Sequence, residues 1–69
     1  MITNSQISQR LIETIKQSGL SQTEIAKKLN IKQPTVAQYL SGRTMPALDT
    51  FANLCKLLDI DSAYVLCIN

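Results

Sequence analysis

Histidine is absent from this 69-residue chain, and glycine, proline and cysteine occur only twice each. Without histidine there is no imidazole to serve as a base near neutral pH or to bind a metal. Two glycines cannot build a glycine-rich phosphate loop. Cys55 and Cys67, with eleven residues between them, lack zinc-ligand spacing and read as two reduced, partly buried thiols. Neither has a partner by motif, and Asp49, Asp59 and Asp61 read as helix-terminal charges, so the chain is not expected to be an enzyme. No metal site and no cofactor are indicated. No apolar run approaches the roughly 20 residues of a membrane span, and the opening "MITNSQISQR" has no apolar signal core. The expected setting is therefore soluble and cytoplasmic, away from a membrane.

Apolar residues make up 45% of the chain and charged ones 17%, which suits an ordered globular domain. A chain this short buries only about 60% of the surface its unfolded form exposes, so one small core is expected and no deep cleft. The net charge is +2, but it is unevenly spread. Residues 1–46 carry six cationic side chains against Glu13 and Glu24, a balance of +4. Residues 47–69 carry Lys56 against three aspartates, a balance of −2. An anionic partner would meet the first part.

Helical periodicity runs throughout, and no stretch alternates long enough for a strand. Ile7, Leu11 and Ile15 predict a first helix over about 5–18, capped by Asn4 or Ser5 and ended by Gly19. "SQTE" at 21–24 fits a capping box, with Leu20 and Ile25 placed as its hydrophobic staple. Asn30, the kind of residue that tolerates positive φ, stops the second helix after about eight residues. A third helix over about 33–41 admits Pro34 because first-turn N–H groups have no helical partner. It places Val36, Tyr39 and Leu40 inward and Pro34, Ala37, Gln38 and Ser41 outward, with Gln33 at the border. The outward face is polar and uncharged. After the loop "GRTMP", Pro46 is expected to open a fourth helix with Leu48, Phe51, Leu54, Cys55 and Leu58 inward, and Asp61 to cap a last short helix holding Tyr64, Val65 and Ile68. The fold class is all-α, a compact five-helix bundle forming one domain over 1–69.

Two short helices joined by a tight turn over about 21–41 make a helix-turn-helix candidate. Counting from Gln22, a small residue (Ala26) follows at four, the turn residue (Asn30) at eight and an apolar anchor (Val36) at fourteen. With "LSQTEIAKKLNIKQPTVAQYLSGRTMPALDTFANLCKLLDI", the chain resembles the helix-turn-helix family of phage lambda repressor and Cro, the Xre family. The resemblance spans about 7–66. It implies a DNA-binding domain whose third helix enters the major groove of double-stranded DNA, usually as a homodimer on a palindromic operator. Base reading falls on Gln33, Pro34, Ala37 and Gln38. Gln22 aligns with a glutamine that contacts a phosphate and braces the first reading glutamine. Phosphate contacts are expected at Gln22, Lys32, Thr35, Ser41 and Arg43. A glutamine amide matches adenine N6 and N7, and the Ala37 methyl suits a thymine methyl.

The chain departs from the family pattern at several points. Lys32 stands where serine or threonine is usual, Asn30 where glycine is common, and Pro34 offers a base no donor. Ile15 and Leu40 stand where several relatives carry a buried arginine–glutamate pair. Losing one such partner alone costs about 3–5 kcal/mol, whereas replacing both is often neutral, so the two side chains are predicted to touch. The C-terminal apolar surplus makes Leu57, Ile60, Tyr64 and Cys67 candidate dimer contacts. A sequence-specific regulator, a dimeric repressor, is the function expected. The alternatives are a protein-interaction module such as an antitoxin, with a protein partner, and the N-terminal DNA-binding piece of a longer regulator.

Overall fold

The computed structural model describes residues 1–68, and all its regular structure is helical. α1 spans Asn4–Gln17, α2 Gln22–Leu29, α3 Gln33–Leu40, α4 Leu48–Leu58 and α5 Ser62–Val65. α1 is capped by neither of the expected residues. Thr3 accepts from the Gln6 N–H at 3.2 Å, and the Gln6 side chain accepts from the Thr3 N–H at 3.0 Å. The glutamine three residues on decides among adjacent polar candidates, because only Thr3 has a reciprocal partner. At α2 the expected box forms: the Ser21 hydroxyl accepts from Glu24 N–H, and Glu24 Oε1 accepts from Ser21 N–H.

Four helices end on one device. Asn30, Gly42, Asp59 and Cys67 each adopt positive φ, between 53° and 78°. The next residue's N–H then reaches five residues back: Ile31 to Ala26 O, Arg43 to Gln38 O, Ile60 to Cys55 O and Ile68 to Ala63 O, at 2.9–3.1 Å. This closure satisfies carbonyls that a helix end leaves open. Ile31 and Ile60 then turn back onto the core, completing the apolar contact that accompanies such an ending.

The core is Leu11, Ile15, Ile25, Ala26, Val36, Leu54 and Val65, drawn from every helix, and no polar or charged side chain among the described residues is buried in it. Ile15 belongs to this core and Leu40 packs against it, so the paired apolar replacement lies in apolar surroundings. Ala26 is buried on α2, the helix that packs most extensively against α3. Tyr39 is buried, as expected of the inward face of α3.

Four further expectations need correction. α4 starts at Leu48 with Ala47 as its cap residue, so Pro46 lies before the helix. Leu48, expected inward, is 84% exposed. A helical side chain covers the turn N-terminal to its own Cα, and the first residue of a helix has no such turn beneath it. Ile68 falls outside α5 and is exposed, since the chain leaves the helix at Cys67. Ala37, expected outward, is half-buried, because its single methyl does not reach past its neighbours.

Candidate nucleic-acid interface

α2 and α3 are separated by three residues, 30–32, and the turn brings their starts together. Gln22 is the first residue of α2 and Gln33 the first of α3. Gln33 Nε2 donates to Gln22 Oε1 at 2.8 Å. The bond orients both amides and leaves the Gln33 carbonyl oxygen, one Gln33 N–H and both Gln22 N–H groups for a partner.

The start of α3 is unusual. Lys32, its cap residue, makes no side-chain capping bond. A cap side chain ordinarily accepts from the second or third helical N–H. Here the second helical residue is Pro34, which has none, and the third, Thr35, donates to the Lys32 carbonyl at 3.0 Å. Pro34 thus removes one donor that a cap would have to satisfy. Lys32 is exposed and its ammonium is not engaged in capping.

Gln33, Pro34, Gln38 and Ser41 are exposed along α3; Thr35 and Ala37 are half-buried. The Ser41 hydroxyl donates to the Gln38 backbone carbonyl at 3.0 Å, and the Gln38 side-chain amide has no hydrogen-bond partner among the described residues. Val36 and Tyr39 anchor the opposite face. Arg43 follows Gly42 at the far end of α3 and is exposed, so Lys32 and Arg43 stand beyond the two ends of an uncharged face. At the start of α2, the Ser21 backbone and hydroxyl hold the Glu24 carboxyl below the ordinary glutamate range, with a smaller contribution from Lys28. Burial, with the Asp49 carboxylate second, raises the Tyr39 hydroxyl above the usual phenol range, so it stays protonated. Burial likewise raises the Cys55 thiol, which makes it a poor nucleophile. Cys67 is a half-buried free thiol. Among the described residues no group of side chains could hold a metal ion, and no helix is long and apolar enough to cross a membrane.

The candidate dimer residues have different surroundings. Leu57 lies beside Lys28, Leu29 and Lys56 in a shallow groove between α2 and α4. Ile60 packs on the core. Tyr64 is exposed at the α1–α5 edge, where the Arg10 guanidinium lies 4.6 Å from its ring centroid and donates to its carbonyl at 2.7 Å. In the sequence Arg10 reads only as one of the cations of residues 1–46. The two residues are 54 positions apart, so no local signal marks them.

A family model described as helix-turn-helix matches residues 11–65, the greater part of the chain. No curated protein and no solved structure gives a match.

Proposed function

The chain belongs to the lambda repressor-like (Xre) helix-turn-helix family of DNA-binding regulators, and from that premise we propose that it is a sequence-specific repressor acting as a homodimer on a palindromic operator. The observation that carries this reading is the Gln22–Gln33 hydrogen bond, which ties the start of α2 to the start of α3 beside an uncharged exposed face. In this reading α3 lies in the major groove. Gln33 and Gln38 hydrogen-bond base edges, Pro34 packs on a thymine methyl or a sugar, and Ala37 allows close approach. Gln22, Lys32, Thr35, Ser41 and Arg43 meet phosphates. They fix position, while the amides read sequence. The two unpaired N–H groups at the start of α2, on Gln22 and Thr23, favour a phosphate there as well.

Two-fold symmetry places the reading helices of a dimer about 34 Å apart. Leu57, Ile60, Tyr64 and Cys67 are the contacts proposed between protomers. The protein works in the cytoplasm and needs neither metal nor cofactor in this reading.

Selection of bound duplexes from a random pool tests binding, symmetry and half-site spacing together. Gln38→Ala is expected to cost about 1–3 kcal/mol on the selected site and to relax choice at one base pair. Arg43→Ala is expected to weaken all sequences alike and to reduce the salt slope by about one. Equal losses for Gln38→Ala on selected and random DNA would rule out base reading. Unchanged DNA affinity for both variants, with loss of a co-purifying protein, would point to an interaction module.

A further inference from the structure

We propose that the Asp59 carboxylate of one copy docks between Lys28 and Lys56 in the α2–α4 groove of a second copy, and reciprocally, a proposal that rests on the homodimer reading above. Asp59 breaks two local rules. It is the C-cap of α4 and adopts φ 53°, a conformation more often taken there by glycine or asparagine. Its carboxylate also stands at the negative end of the helix dipole, where an anion is disfavoured. The side chain is exposed, and among the described residues it has neither an ion pair nor a hydrogen bond to offset these costs. A residue that departs from local preference with no compensation in its own fold is a candidate for function.

The groove is its electrostatic complement. Lys28, Leu29, Asn53, Lys56 and Leu57 line it, two cations and no acid. Among the described residues Lys56 has no ion-pair partner, and Lys28 acts on Glu24, one turn back on α2, as the smallest influence on that carboxyl. Two ammonium groups and the Asn53 amide offer donors to a carboxylate, and the leucines give the pair an apolar surround that limits screening. Position favours a second copy over any other acidic partner. Asp59 follows Lys56 by one helical turn, so acid and basic groove lie side by side at the end of α4. A two-fold axis beside Leu57 therefore sets each Asp59 against the lysines of the other copy, and every contact is made twice. The groove takes the last turn of α2, whereas the proposed DNA interface uses its first residue, so both can be occupied at once.

Asp59 also provides the test, because folding and association respond to its charge with different signs. Asp59→Asn keeps a residue suited to positive φ and removes the charge from the end of the helix. The isolated chain is therefore expected to hold or gain Tm, read by circular dichroism at a concentration where it is monomeric. The dimer dissociation constant, from sedimentation equilibrium, is expected to rise roughly tenfold and to depend less on salt. Asp49→Asn, at the exposed start of the same helix, controls for net charge. Asp59→Lys and Lys56→Glu should each weaken the dimer. Together they should dimerise more tightly than either alone, because the exchanged charges meet across the two-fold axis.

Opposite signs for Asp59→Asn, with recovery in the double variant, support the docking. A dimer that Asp59→Asn weakens no more than Asp49→Asn does overturns it, as does a double variant without recovery; the homodimer reading then stands on other contacts. If the unaltered protein stays monomeric at every concentration, the homodimer reading fails and the docking proposal with it.

Discussion

α2 and α3 are both eight residues long and stand on either side of one short turn, yet their starts are held differently. α2 is closed by its own side chains, with Ser21 and Glu24 each satisfying the other's backbone N–H. At α3 no side chain caps the helix, and Pro34 removes a donor instead. The difference bears on the proposed work of each helix. A capping box commits two side chains to the fold, which costs α2 nothing if its role is to support. At α3 the Lys32 ammonium has no acceptor with which to cap, Pro34 removes one N–H that would need one, and Gln33 is oriented by Gln22 rather than by its own helix.

The comparison is broken most severely if the two helices do not share a core. Ile25 and Val36 are both almost fully buried, at 1% and 0% exposure. Ile25→Ala is expected to cost about 2–5 kcal/mol in denaturant unfolding. Val36→Ala is expected to cost about 2 kcal/mol, from the apolar group removed and the space left behind. A negligible cost for Val36→Ala would mean that the core does not hold α3 in place.

A middle-sized effect sharpens the contrast between the caps. Ser21→Ala should lower stability by about 1 kcal/mol, the usual worth of a cap. Lys32→Ser, which installs a standard cap residue on α3, should change stability by only a few tenths of a kcal/mol, because its usual target N–H groups are missing or already bonded. In a Pro34→Ala background the same substitution should gain about 1 kcal/mol, a non-additivity that a double-mutant cycle would measure. Additive effects would remove the role assigned to Pro34.

The smallest effect is a pH dependence confined to α2. The folded state holds the Glu24 carboxyl below its ordinary value, chiefly through Ser21. Its contribution is therefore complete above the ordinary glutamate value of about 4.3 and is lost as pH falls through the lower folded value. Glu24→Gln should make the fall of Tm on acidification shallower, measured by circular dichroism between about pH 5 and 2.5. An unchanged slope would show that the carboxylate adds nothing as a charge.

Much of this fold is legible in the sequence because its signals are short-range. Ser21 and Glu24 identify each other across three residues, and Asn30 marks the turn by its tolerance of positive φ. The cap of α1 is legible too, but only if Gln6 is read together with Thr3. Leu48 is not: periodicity places it inward, and its exposure depends on lying at the very start of a helix. The candidate reading side chains follow from the order of motifs along the chain. The amide bond between Gln22 and Gln33 spans eleven positions and needs the turn to close before it exists.

By itself, then, the sequence determined the helices, their turns and the two faces of α3. Those depend on hydrogen bonds, φ preferences and periodicity acting within about five residues. Only the tertiary structure decided that Arg10 covers Tyr64, that Gln22 holds Gln33, and that the start of α1 stands beside Arg43. Such contacts join residues that are strangers along the chain. Burial and long-range pairing arise when whole helices pack, and the pattern of any one helix does not say which neighbour its outer edge will meet.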